Sequence, residues 1–169
     1  MKQGIPEQIK LFKFASRGLS FSKKYKIRDL PRVSELVSNL DDFVNVELSF
    51  MLVTNNVPCI IGEIKLNVDV PCQRCLNDVN ICLMPKFKLA FLQNEQQGEE
   101  LDSSYDTVLN NDEKFSTIEF ITDEVLISMP MIPMHKHECT ISQDSTHFEK
   151  QKRESPFAIL KQTKINKQE

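Results

Sequence analysis

The sequence has no tryptophan, two tyrosines and only four glycines in 169 residues. So few glycines leave little material for backbone loops that cradle phosphates, and neither GxxxxGK(S/T) nor GxGxxG occurs. GxSxG and HExxH are missing too, which removes the serine-hydrolase elbow and the zinc-protease helix. Two carboxylate pairs, Asp41-Asp42 and Glu99-Glu100, are sequence neighbours in polar segments, where solvation rather than acid-base work is the ordinary role. The chain therefore reads as non-catalytic. Long apolar runs are also absent: Val125 to Met134 falls well short of the roughly 20 residues that span a bilayer, and prolines interrupt it. Residues 1–14 spread lysines among isolated apolar side chains and lack the continuous apolar block of a secretory leader, so the cytoplasm is the expected compartment and no membrane partner is expected. Five cysteines, an odd and sparse set, do not make the disulfide framework of a small secreted domain. Reduced thiols or metal ligands are expected instead.

What is present suffices for one core. An apolar content of 40%, with eleven phenylalanines, matches a single domain over residues 1–169. Its charges are sorted along the chain. From Met1 to Arg32 nine basic residues face only Glu7 and Asp29, and between Glu95 and Glu124 ten carboxylates face the single Lys114. Residues 150–169 return to a basic excess. A basic head and tail thus flank an acidic middle, which suits either a solvated surface or a phosphate-facing end.

Periodicity gives the elements. Lys23 to Leu30 alternates enough for an edge strand, and Val33, Leu36, Val37 and Leu40 recur at helical spacing behind Pro31, which predicts a short helix over Arg32 to Leu40. Phe43 to Val53 and Cys59 to Val70 alternate with period two around Asn55-Asn56, a pair that tolerates positive φ, so a hairpin is predicted. A third alternating run, Val79 to Leu92, contains Pro85, acceptable at an edge or bulge. Residues 95–114 read as an exposed acidic loop. Apolar spacing from Phe115 to Met129 predicts a helix capped by Ser116 or Thr117 and stopped by Pro130. Residues 140–169 read as a polar linker and basic tail, with Pro156 to Leu160 as a short C-terminal docking helix. The fold class is α+β: an antiparallel β meander covered by one or two helices, with a Cys-x-x-Cys turn.

That turn is Pro71-Cys72-Gln73-Arg74-Cys75-Leu76-Asn77. Two thiolates three residues apart can ligate one tetrahedral ion, and His135, His137 and Cys139 downstream can complete the set, with zinc the expected metal. The competing reading makes Cys72 and Cys75 small buried thiols in a turn and leaves the histidines exposed. A thiol-disulfide role is disfavoured because no helical pattern follows the pair to supply a dipole. Cys59 and Cys82 lie in alternating segments and read as core filler.

Three landmarks occur in order: Val70-Pro71-Cys72-Gln73-Arg74-Cys75, then Thr122 to His135 through Met129-Pro130-Met131-Ile132-Pro133, then Ser155-Pro156-Phe157-Ala158-Ile159-Leu160. In this order they resemble the YceD family, the large ribosomal RNA subunit accumulation proteins. The resemblance implies a role in accumulation of the large-subunit (23S) ribosomal RNA, hence in ribosome biogenesis, without an enzymatic activity. It maps the family's cysteine pair onto Cys72 and Cys75 and its acidic helix onto Glu124 to Pro130, with Met129 in place of the usual leucine. Where many relatives place another CxxC, this chain offers His135, His137 and Cys139. With the basic head, the resemblance makes Arg17, Lys23, Lys24, Lys26, Arg28 and Arg74 candidate contacts to large-subunit ribosomal RNA, and no DNA partner is expected. The alternative is a protein-interaction module whose acidic segment engages a basic ribosomal protein, with an indirect effect on RNA.

Overall fold

Period-two alternation builds a mixed six-stranded sheet, and a computed structural model describes residues 4–109 and 114–140. In chain order the elements are β1 (Gln8–Ile9), α1 (Leu11–Ala15), β2 (Ser20–Lys26), α2 (Pro31–Ser34), β3 (Phe43–Val53), β4 (Val57–Pro71), β5 (Asp78–Leu83), β6 (Lys86–Leu92), β7 (Asp106–Leu109), β8 (Phe115–Ser116) and α3 (Thr117–Ser128). The main sheet runs β2-β3-β4-β6-β7, with β5 paired to β4. All these pairings are antiparallel except the parallel one of β7 to β6. The architecture is α+β, as the alternation predicts.

The hairpin of β3 and β4 turns at Asn55 and Asn56, both in the left-handed region at φ 57° and 58°. Asparagine tolerates that conformation better than most residues. Strand β4 is the spine. One edge pairs with β3 while the other takes β6 along its first half and β5 along its second. Leu66↔Leu83 and Glu63↔Lys86 keep one register across Met84-Pro85, so β5 and β6 are a single run interrupted where proline has no amide to give. Pro85 still accepts from the Ile64 amide at 3.0 Å.

One face of the sheet carries the core. Val44, Val46, Leu48 and Phe50 of β3 and Ile60, Ile64, Leu66 and Val68 of β4 are buried together with Ile121 and Val125 of α3. Helix α3 starts where Ser116 accepts from the Glu119 amide, the expected cap. The start is tied to the N-terminal segment by Thr117, whose hydroxyl donates to the Pro6 carbonyl at 2.6 Å, and by the β1–β8 pairing. A smaller cluster of Val57, Ala90 and Leu92 is covered by Leu101 and Tyr105 of the acidic segment.

Four expectations change. The helix expected over Arg32 to Leu40 is a single turn, α2, because Asn39 bonds to the Asn67 carbonyl, the Asp69 amide and Asp42 and pins the chain as a loop. The strand expected from Lys23 to Leu30 runs earlier, over β2, and stops where the Asp29 carboxylate accepts from the Lys26 amide and closes a 3-10 turn over Ile27–Asp29. Residues 95–114 are not wholly loop, since β7 adds to the unpaired edge of β6, although every residue of β7 is exposed. Cys59 is core, but Cys82 is exposed, because the phase of β5 turns Val79 and Leu83 inward. The expected docking helix at Pro156 to Leu160 lies outside the described residues. Among the described residues no helix is long and apolar enough to cross a membrane.

Gly62 of β4 lies under the ring of its cross-strand partner Phe87, and a Cβ there would collide with the Phe87 ring. Phe87 is itself held edge-on by Phe120 of α3, 5.7 Å between centroids. Gly62→Ala is expected to displace that ring and cost about 1–3 kcal/mol, the range for overpacked sites. Urea denaturation measures it, and an unchanged midpoint would show that the ring moves aside without penalty.

Candidate metal centre

The candidate ligands come from two segments brought together at the end of β4. Strand β4 ends at Pro71, and the next residues turn sharply: the Leu76 amide donates to the Cys72 carbonyl at 2.9 Å and the Cys72 amide to the Asn77 carbonyl at 2.9 Å. Leu76 takes φ 64°, and this left-handed residue sets the tightness of the turn. The second segment follows α3. Pro130 stops that helix, and the chain returns across the turn, where the Gln73 amide donates to the Pro133 carbonyl at 2.8 Å.

The result brings Cys72, Cys75, His135 and Cys139 together, with one potential donor atom from each and all four within 4.8 Å of one another. Cys72 and Cys75 are buried and belong to the main core, against which Cys139 packs. The Cys72 and Cys139 sulfurs are 3.7 Å apart, and Cys75 Sγ is 3.4 Å from His135 Nδ1. Tetrahedral zinc with bonds of about 2.3 Å to sulfur and about 2.0 Å to nitrogen sets such edges at roughly 3.8 Å between sulfurs and roughly 3.5 Å from sulfur to nitrogen. The donor set fits a Cys3His zinc site.

Two supports act from outside that set. His135 Nε2 lies 3.1 Å from the Asp78 carbonyl. A proton on Nε2 donated there leaves Nδ1 with its lone pair toward the cysteines, the tautomer a ligating histidine needs. Arg74 Nε donates to Cys139 Sγ at 3.0 Å, and its Nη2 donates to the His135 carbonyl at 3.1 Å and to the His137 carbonyl. A guanidinium there offsets the excess negative charge of three thiolates around a divalent ion. Burial raises the Cys72 thiol, but the Arg74, Cys75 and His135 amides and the Cys139 side chain outweigh it and bring its pKa down to about 5. Burial pushes the Cys75 thiol up, an effect reinforced by the neighbouring Cys139 and Cys72.

Of the five ligands expected from the sequence, four converge. His137 stands beside them, its ring 4.9 Å from that of His135. The expected RNA contacts are divided. Arg74 is engaged at the cysteine turn, and Lys26 and Arg28 both reach Asp41. Arg17, Lys23 and Lys24 are exposed, with the Lys23 ammonium 4.5 Å over the Tyr25 ring. The clamp by Arg74 was not separable by sequence from a free surface arginine, although its position between the two cysteines is the signal that places it there.

Comparisons with known proteins bear on the whole chain. It is 28% identical over 166 residues to the large ribosomal RNA subunit accumulation protein YceD of Haemophilus influenzae, an alignment covering 94% of this chain and 95% of the relative. No solved structure matches it. The family model described as "Large ribosomal RNA subunit accumulation protein YceD" matches residues 60–164, which take in the Cys-x-x-Cys turn, α3 and the His135 segment. The chain belongs to the YceD family.

Proposed function

We propose that this protein supports accumulation of large-subunit ribosomal RNA in the cytoplasm as a non-catalytic assembly factor, with a zinc ion held by Cys72, Cys75, His135 and Cys139. Membership of a family named for that accumulation carries the reading. The cluster agrees with it: a closed set of four protein donors is the arrangement of structural zinc, whereas catalytic zinc keeps an open position. Zinc supplies a cross-link between the β4–β5 turn and the segment after α3, two stretches otherwise joined by few backbone bonds. Arg74 and the Asp78 carbonyl orient the ligands, so the knuckle presents a rigid surface with exposed Leu76, Ile132 and Met134 beside it.

The test is the ratio of 23S to 16S ribosomal RNA in cells deleted for the protein. The ratio is expected to fall and to recover with the wild-type gene. An unchanged ratio through exponential growth, with the deletion verified, would remove the assignment.

A further inference from the structure

The groove between α1 and the Thr54–Asn56 turn brings Lys10, Lys13, Arg17 and Lys114 around an exposed phenylalanine. We propose that this groove takes a short single-stranded segment of RNA, an inference that rests on the assembly reading above and gives it a contact surface. The groove has a volume of about 1130 Å³, beyond the roughly 300–1,000 Å³ of small-molecule sites, which suits a piece of polymer.

Its charge is the first argument. Among the described residues four cations and no carboxylate line the groove, in a chain whose net charge is -3. None of the four makes an ion pair among the described residues, whereas Lys26, Arg28, Arg32, Lys65 and Lys86 all do. Unpaired cations facing one cavity bind phosphate without first giving up an internal partner. Lys114 arrives from the far end of the acidic segment because β1 and β8 pair, Gln8 against Ser116, and so place it beside α1.

The aromatic is the second. Helix α1 turns Leu11 and Ala15 into the core and packs Phe14 on Phe21 and Phe50, yet leaves Phe12 60% exposed between lysines 10 and 13. A ring held on a docked helix, flanked by cations, is the platform on which an unstacked base sits. Gln8, Asn56 and Gln93 add amides able both to donate to and accept from base edges. An acidic protein segment would satisfy the cations and the amides but, lacking bases, would give Phe12 no flat π-face to stack on. Duplex RNA would not offer a base to Phe12.

Fluorescence anisotropy of a labelled mixed-sequence single-stranded RNA 12-mer with the full chain tests this. Lys13→Ala/Arg17→Ala is expected to weaken binding about tenfold at low salt and to make the slope of log affinity against log salt shallower by about 1.4, the loss of two single-strand phosphate contacts. Phe12→Ala is expected to weaken it about tenfold with the slope unchanged. Lys23→Ala/Lys24→Ala, on the exposed edge strand β2, is expected to change it far less. All these side chains are exposed, and equal melting temperatures confirm folding. Equal binding by wild type and groove variants, a larger loss from the β2 pair, no RNA binding by wild type, or displacement of RNA by duplex RNA or by an acidic peptide at equal concentration each overturns the proposal. In cells the two readings separate. If deletion lowers 23S RNA and the Lys13→Ala/Arg17→Ala gene restores it fully, the groove is overturned and the assembly role stands. If deletion leaves 23S RNA unchanged, the assembly role falls while anisotropy still decides the groove.

Discussion

Purified without chelator, the wild-type chain is expected to carry about one equivalent of zinc and Cys72→Ser almost none, as tetrahedral thiolate ligation requires. Cys72 is a fully buried member of the donor set, 3.7 Å from the Cys139 sulfur, and a serine hydroxyl there offers neither the charge nor the softness of a thiolate. Chelation of the wild type should lower its melting temperature. A ligand at a thousandfold excess over its dissociation constant adds about 4 kcal/mol, which for a domain of this size is on the order of 10 °C. The Cys72→Ser chain should melt near the chelated wild type and ignore further chelator. Two neighbours sharpen the assignment. His137→Ala and Cys82→Ser should both retain the metal, since neither side chain belongs to the converging set. Zinc retained in Cys72→Ser, or lost in Cys82→Ser, contradicts the assignment, and metal-free wild type removes it.

How far the sequence led depends on the range of the forces involved. Period-two alternation is local, and it located β3 to the residue and both parts of the run broken at Pro85. The helix cap at Ser116 is equally local. What was hidden rests on contacts far apart in the chain. Asn39 has the composition of a helix-adjacent residue, and only its bonds to Asn67 and Asp69 of β4 turn the stretch after Ser34 into a loop. The choice of His135 over His137 depends on which ring faces β4's end and which carbonyl, Asp78, can orient it. Cys59 and Cys82 lie on the same face of the sheet, since Cys59 pairs with Ala90 and Cys82 with Asn67 of β4, and they differ because among the described residues that face is covered only beside Ala90, where Leu101 and Tyr105 pack. The cysteine turn itself was legible, because spacing carries its meaning. The lining of the groove is local only in part: Lys10, Lys13, Arg17 and Phe12 all lie in the basic head, but they come to face Lys114 only when α1 docks and β1 pairs with β8.

That docking gives the second large effect. Phe50→Ala is expected to cost about 3–5 kcal/mol, the range for deleting a buried phenylalanine. Its ring is 2% exposed and meets Phe14 at 5.4 Å and Phe21 at 5.7 Å, both nearly edge-on, while Phe14 and Phe21 lie 5.2 Å apart. Removing the ring opens a cavity between β2, β3 and α1 that Phe14 and Phe21 share. A loss of that size is a large part of the roughly 5–15 kcal/mol that holds a domain folded, so the urea midpoint should fall sharply. Phe50→Leu, which fills most of the space, should cost less than about 1.5 kcal/mol. The pair also tests how the groove is held. Helix α1 has five residues and its amides alone cannot keep it helical, so its geometry comes from Leu11, Phe14 and Ala15 on the sheet. If Phe50 is the seat of Phe14, then under conditions where both variants remain folded Phe50→Ala should weaken RNA binding although it touches no groove side chain, and Phe50→Leu should not. Equal affinity in Phe50→Ala would mean that α1 is positioned by Leu11 and the β1–β8 pairing instead, and that the groove is built from the N-terminal side rather than from the core.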